Sequence, residues 1–384
     1  MAHNNTAFQQ VLTPLSRHEF EKLAKHHHVG QKLRSASRWD QFCAMLMSQF
    51  TGRQSLRDIA ANLLGQQNKL YHLGAKPIAR STLARINEKQ PHELYQALFF
   101  KLLQRFSSSK EKHKFRFKNP LISLDASLID LSLKIFPWAT FNHEKAALKL
   151  HVGLNNANLI PEFVSLTDAK ESDVSQGRVF SFKTGSIVVF DKGYADFKWY
   201  QTLTSEGVYF VTRLKRKTRY SVLDDLPTPG NSGVTSDKII ELDSPRAKQQ
   251  GAPKRLRLVA YTCPETGQEY QFLTNHFNLS SKTIAAIYKD RWQIELFFKT
   301  LKQNLKIHAF VGTSRNAILT QIWIAMIAYL LLSFARHSAR EGWSVQRIMR
   351  ILQVSLFERC SLKTLLDPSP PDIKGKSPQL GIAW

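Results

Sequence analysis

The sequence predicts a mixed α/β protein in which an all-helical N-terminal region leads into a central sheet with helices packed on it. Three observations carry that prediction. Apolar residues recur at helical spacing up to about residue 115, and short Val-, Ile-, Leu- and Phe-rich runs alternate with helical stretches after it. Between about 214 and 275, Pro227, Pro229, Gly230, Gly233, Gly251 and Pro253 punctuate short alternating runs, which reads as a β-rich insertion in the α/β core. At 384 residues and 43% hydrophobic content, the chain can bury a sizeable core in two or three domains.

Taken in order, Arg38 to Phe50 has the apolar spacing of a helix. Ser55 to Leu64 starts with an N-cap serine and carries Asp58 three places on, the spacing of a capping box. Gly65, Gly74 and Pro77 interrupt it, and Ala79 to Ile86 makes a second, short helix bearing Arg80, Ser81, Thr82 and Arg85. Helix, break and short polar helix is the layout of a helix-turn-helix DNA reader, although the break is long for that motif and many bundles share the layout. From Phe106 to Asn119 the chain is polar and basic, a linker able to meet phosphates.

Strands are expected at Leu121 to Leu133, Lys149 to Leu154, Phe163 to Leu166, Ser186 to Phe190 and Val208 to Thr212, with a helix at Phe197 to Thr204 before the last. Arg255 to Tyr261 and Glu269 to Leu273 read as a hairpin around Cys263 to Gln268. The expected division is a helical N-terminal domain at 1–115, a catalytic core in two parts at 116–213 and 276–340, the insertion at 214–275 and a helical tail at 341–384.

Charge narrows the partners. Fifty-four Lys and Arg against thirty Asp and Glu give a formal charge of +24, and the bases cluster with aromatics at Lys110 to Lys118 and Arg213 to Arg219. An excess of that size repels itself in the compact state unless a polyanion neutralises it, which points to nucleic acid. Three scattered cysteines, Cys43, Cys263 and Cys360, suggest neither a disulfide framework nor a zinc site. The polar N-terminus lacks a signal peptide's apolar segment, so a cytoplasmic, nucleoid-associated protein is expected. Ala317 to Ala335 has the length of a membrane span, but Thr320, Gln321, Tyr329 and Ser333 interrupt it, so a buried helix and no membrane association are expected.

The chemistry is concentrated in three acids and one helix. Asp125 sits inside the apolar run Leu-Ile-Ser-Leu-Asp-Ala-Ser-Leu-Ile, where a lone carboxylate must be paired or hold a metal. Asp191 ends Ile-Val-Val-Phe-Asp, at the carboxyl end of a buried strand, where α/β sheets place their sites. Tyr288 to Lys302 is free of Gly and Pro; on one continuous helix Tyr288, Arg291, Glu295 and Lys302 would fall within roughly a 60° arc. Three hard carboxylates without a His or Cys cluster suit two Mg²⁺ or Mn²⁺ ions and in-line phosphoryl transfer. Arg291 and Lys302 would fix phosphates, and Tyr288 either packs on a sugar or donates to a phosphate, or is a partly buried core tyrosine. Lys192 either binds phosphate or is simply solvated. Asp130, Asp168, Glu171, Asp173, Asp196 and Asp290 read as loop, cap or surface acids, Asp168 and Asp173 with some interest because they follow a strand. His151 reads as a satisfied core histidine.

Tyr288, Arg291, Glu295 and Lys302 at that spacing match the Y-R-E-K signature of the IS-four family of bacterial insertion-sequence transposases, which this chain resembles from about 120 to 335. Asp125 in Leu-Asp-Ala-Ser resembles the family's first catalytic Asp, Asp191-Lys192-Gly193-Tyr194 its second, and Arg213 a basic position that contacts DNA. The resemblance implies an RNase H-like core with an insertion between the second Asp and the Glu. It implies a DDE transposase: nicking of double-stranded DNA at element ends, attack of the freed 3′-hydroxyl on target DNA, excision through a hairpin, and a homodimer on DNA. The same residues would serve a metal-dependent nuclease without strand transfer, and a silent DNA-binding regulator is the remaining alternative.

Overall fold

The computed structural model describes residues 5–106, 113–132, 136–139, 146–230, 233–305, 307, 309–337, 339 and 343–366. Part of the basic 106–119 run, residue 133 of the first expected strand and the tail beyond 366 lie outside them.

Helices open the chain: α1 (Ala7–Val11), α2 (Arg17–His26), α3 (Arg38–Thr51), α4 (Leu56–Gly65), α5 (Gln67–Leu70), α6 (Arg80–Lys89) and α7 (Glu93–Phe106). Local chemistry fixes their ends. Ser37 and Asp40 close a reciprocal capping box on α3, and Gly52 ends it at φ 68°, a left-handed conformation glycine adopts without strain. Ser55 caps α4 through the Asp58 N–H. Between α4 and α6 the chain makes α5 and a 3₁₀ turn at Tyr71–Leu73, so the two expected helices are separated by more helix than a helix-turn-helix allows.

The sheet follows with β1 (Leu121–Leu131), β2 (Ala146–Asn155), β3 (Pro161–Asp168), α8 (Asp173–Val179), β4 (Ile187–Phe190), α9 (Phe197–Ser205) and β5 (Tyr209–Arg213). It continues with β6 (Tyr220–Asp225), β7 (Val234–Leu242), α10 (Pro245–Gln249), β8 (Leu256–Thr262) and β9 (Glu269–Thr274). All nine strands form one sheet in the order β3-β2-β1-β4-β5-β9-β8-β7-β6. β3, β2 and β1 run antiparallel, β1, β4 and β5 run parallel, and the rest are antiparallel. The Pro- and Gly-rich segment therefore extends the central sheet, with β9 hydrogen-bonded directly to β5.

One face of the β1–β4–β5 region packs Ile122, Leu124, Val188, Phe190 and Phe210 under Trp199, Tyr200 and Leu203 of α9. The other packs Leu121, Ile187, Val189 and Val211 against Ile284 and Ile287 of α11 (Ser281–Asp290). After it come α12 (Trp292–Lys299), α13 (Arg315–His337), α14 (Val345–Ser355) and α15 (Leu362–Leu366). α13 is the apolar stretch the sequence singles out, and 94% of its most apolar window is buried inside the protein. Its side chains join the N-terminal helices, β1–β3, α12 and α14 in one apolar cluster. A core role, with no lipid needed, accounts for its composition.

Buried charge pins the far half of the sheet to α11. Arg257 on β8 donates two hydrogen bonds to Asp237 on β7, at 2.8 and 2.6 Å, and two more to the carbonyls of Phe277 and Leu279 ahead of α11. Both side chains are almost fully buried. Asp237→Ala leaves the guanidinium uncompensated and is expected to cost about 3–5 kcal/mol, read as a lowered urea midpoint. Replacing both partners with apolar residues of similar volume should cost much less; equal losses would show that the burial of charge is not what matters.

Candidate active site at the carboxyl end of the sheet

Strand register brings the two aspartates together. Leu124 of β1 pairs in parallel with Phe190 of β4, so the next residues, Asp125 and Asp191, lie side by side where β4 ends. Asp191 caps the following 3₁₀ turn, Lys192–Tyr194, by accepting from the Gly193 N–H. A Cβ on Gly193 would lie 2.7 Å from an Asp191 carboxylate oxygen, so a larger residue there would displace that carboxylate from its cap.

Glu295 arrives from the other direction, on α12. Arg291 Nη2 donates to Glu295 Oε1 at 2.7 Å, and Arg291 Nη1 donates to Asp125 Oδ2 at 3.1 Å. A single guanidinium thus bridges carboxylates from a strand and a helix 170 positions apart (295 − 125). The other Asp125 oxygen accepts from the Ala126 N–H at 2.8 Å. Burial pushes the Asp125 carboxyl up to about 6, against the pull of Arg291 and the Ala126 N–H and with help from Asp191 and Glu295. Tyr288 lies between two cations: its ring is 4.8 Å from Phe272 and 5.6 Å from the Arg291 guanidinium, and its hydroxyl interacts with Arg213. Arg213 in turn lies 5.0 Å from the Tyr270 ring. Lys192 is exposed on the turn, and Lys302 makes no hydrogen bond or ion pair to the others among the described residues.

The expected continuous helix is broken in two places. α11 stops at Asp290, the Arg291 N–H turns back to the Tyr288 carbonyl, and α12 starts afresh at Trp292. Beyond α12 the chain widens into a π turn at Thr300–Asn304 that carries Lys302. Asp290, the last residue of α11, is expected from the sequence to be a loop, cap or surface acid and is in fact buried. Its carboxylate meets Lys114 Nζ at 2.6 Å and accepts from Asn156 Nδ2 at 2.9 Å, while Asn156 accepts from the buried Ser123 hydroxyl.

The remaining acids fall elsewhere. Asp196 caps α9 and pairs with Arg178, and Asp168 meets Arg315 at the surface. His151 is buried and accepts from or donates to the Thr167 hydroxyl at 2.9 Å; its Nδ1 lies 3.8 Å from Asp173. Burial pushes its pKa down to about 4, so it is neutral near pH 7. Trp292 and Leu296 are exposed on α12 beside Glu295. Among the described residues no three His, Cys, Asp or Glu side chains are drawn close enough to enclose a metal. Even so, hard anionic oxygens of Asp125 and Glu295 already converge on one cation, the guanidinium, with Asp191 adjacent, so the donor set fits a hard divalent ion.

A family model described as the transposase DDE domain matches residues 116–331, and one described as a domain of unknown function (DUF4372) matches residues 3–76. The chain is 31% identical over 260 residues to the protein named as transposase y4zB of Sinorhizobium fredii, covering 67% of this chain and 72% of that one. It is 27% identical over 267 residues to the transposase named for insertion sequence element IS5377 of Geobacillus stearothermophilus, covering 69% of each. Among solved structures, the piggyBac transposase synaptic complex with hairpin DNA aligns with 97% of this chain and 81% of its own, at a TM-score of 0.46 and 11% identity.

Asp290→Ala strips Asn156 and Lys114 of a buried partner and is expected to lower stability by about 1–3 kcal/mol. In a double-mutant cycle with Asn156→Ala, urea denaturation should show a coupling of about 0.5–3 kcal/mol. Simple additivity would mean that the two side chains do not act as a unit.

Proposed function

Starting from the fact that this chain belongs to the transposase DDE domain family and is an enzyme, an insertion-sequence DDE transposase, we propose how its residues act on DNA. Asp125, Asp191 and Glu295 are the catalytic carboxylates, on an RNase H-like core formed by the β3-β2-β1-β4-β5 part of the sheet. The observation that carries this reading is the convergence of Asp125 and Glu295 on one partly buried cation beside Asp191. The Y-R-E-K spacing supports placement in the IS-four family. These three carboxylates would hold two Mg²⁺ or Mn²⁺ ions, which when bound supply the Lewis acidity that activates water and stabilises a leaving oxygen.

In the first step, water oxygen forms a bond to phosphorus at the element end, the P–O3′ bond breaks, and a free 3′-hydroxyl and a 5′-phosphate result. In the second, that hydroxyl attacks a phosphodiester of target DNA or of the opposite strand, and a new 3′-hydroxyl leaves; attack on the opposite strand gives the hairpin. The chain's own groups orient the DNA. Arg213 and Arg291 flank Tyr288 and present donors to phosphate oxygens, with Lys192 and Lys302 as solvated cations at the rim. Pairing two element ends calls for a homodimer on double-stranded DNA, in the cytoplasm at the nucleoid.

Beside α6, Lys32, Arg34, Arg85 and Lys89 line an open cavity of about 550 Å³ with no acid in its lining. None of the four makes an ion pair among the described residues. Gln90 fixes its rim by donating to the Val29 carbonyl at 2.8 Å, and Asn316 of α13 donates to the Asn87 and Gln90 carbonyls. We assign this cleft to the DNA backbone, as the DNA-binding element of the helical domain.

Two experiments test the reading. Wild type, given Mg²⁺ or Mn²⁺ and a labelled duplex carrying the element end, should nick it and join it to a second duplex, while Asp191→Ala and Glu295→Ala bind without cutting. Cutting that survives either change would overturn its assignment. Nicking without joining would favour a nuclease, and binding without nicking a regulator. Separately, Arg85→Ala with Lys89→Ala should reduce the slope of log affinity against log salt by about 2, near 0.9 for each phosphate no longer neutralised. An unchanged slope would move the DNA path off this cleft.

A further inference from the structure

We propose that Arg291 is a stand-in cation: in the DNA-free protein it occupies the Asp125–Glu295 pair and keeps a divalent ion out, and DNA phosphate draws it away. Metal binding is thereby coupled to DNA binding. The inference rests on the metal-dependent DNA chemistry proposed above.

Four observations carry it. Both terminal nitrogens of Arg291 are spent on the two carboxylates that would have to hold the ion. Oδ1 of Asp125 already accepts from the Ala126 N–H, which leaves Oδ2, the oxygen Arg291 holds, as the less encumbered ligand. The guanidinium is only 14% exposed, so its charge is poorly screened and would repel a dication placed beside it. Finally, Arg291 Nε is buried without a hydrogen-bond partner, so the bridging position does not satisfy the whole side chain. A planar fork of donors matches a phosphate as well as it matches carboxylates. Arg291 sits at the α11–α12 junction, and Tyr288 and Arg213 lie next to it on the path a phosphate backbone would take.

A purely structural arginine would behave differently. It would hold the two carboxylates in place with or without DNA, and its loss would scatter the metal ligands. A stand-in blocks the ligands until a competing anion arrives, so its loss frees them.

The test is Mn²⁺ binding to the full chain, followed by the electron paramagnetic resonance signal of the free ion, with and without a short duplex of arbitrary sequence at low salt. For wild type, duplex should tighten Mn²⁺ binding by about tenfold or more. Arg291→Ala should bind Mn²⁺ that tightly without duplex, and duplex should then add little. Arg291→Lys keeps the charge but cannot span both carboxylates, so it should gain most of the same affinity. Lys289→Ala removes a nearby exposed charge that pairs with Glu265 and bridges neither carboxylate, and should leave the coupling intact. A gain in Arg291→Ala absent from Arg291→Lys would overturn the proposal in favour of plain charge removal. Weaker Mn²⁺ binding in both Arg291 variants would overturn it in favour of a structural arginine. Duplex-independent binding by wild type would overturn it while leaving the transposase reading intact, whereas no Mn²⁺ binding under any condition would sink both.

Discussion

Carboxylates gathered at a partly buried site must share a proton or face a cation, and this protein supplies the cation with Arg291. At an effective dielectric near 20, like charges about 4 Å apart repel by about 4 kcal/mol. Burial alone already moves Asp125 toward its protonated form. The Arg291 guanidinium opposes both effects, and Asp290 beside it is held by Asn156, just after β2, and by Lys114, ahead of β1. Arg291 itself sits at the junction of α11 and α12, with helical backbone dihedrals.

The sheet sets the other half of the arrangement. Parallel pairing of β1 with β4 puts residue 125 next to residue 191 through backbone hydrogen bonds alone. A one-position slip would swap the side chains packed under α9 with those packed against α11, and both sets are fitted to their helices. Positioning of the aspartates therefore draws on the same burial that stabilises the fold. Arg257 extends the logic to the far strands, tying β7 and β8 to the loop that starts α11.

Acids in apolar runs were the legible part of the sequence, since Asp125 within Leu-Ile-Ser-Leu-Asp and Asp191 after Ile-Val-Val-Phe break a pattern that burial enforces. Periodicity also gave α3, the strands β1 to β5 and the buried character of α13. What it could not give were long-range pairings. Nothing local distinguishes a β-rich segment that stands apart from one whose last strand, β9, pairs with β5. Asp290 looked like a surface acid because its partners, Lys114 and Asn156, lie 176 and 134 positions upstream (290 − 114 and 290 − 156). The one available hint was Asn155-Asn156-Ala157-Asn158, a turn richer in side-chain amides than a hairpin needs. The basic cleft was hidden for the same reason, as its loop bases and its α6 bases lie some 50 residues apart and meet only in the fold.

Shared burial also bears on how the helical region relates to the carboxylates. α13 packs its buried side chains into the same cluster as α3, α6 and α7 on one side and Phe297 and Leu301 on the other. Tyr329 of α13 meets the Phe297 ring edge-on at 4.7 Å, two residues beyond Glu295, while Asn316 at the opposite end of α13 holds the end of α6. Asn316 and Tyr329 stand 13 positions apart on α13 (329 − 316), about 20 Å, so one stiff, fully packed stretch of helix separates the two places where DNA phosphates are proposed to bind. Interiors packed to crystal-like density transmit displacement with little compliance. The distance between the α6 cleft and Glu295 is therefore set by core packing, and DNA bound at both must conform to the protein.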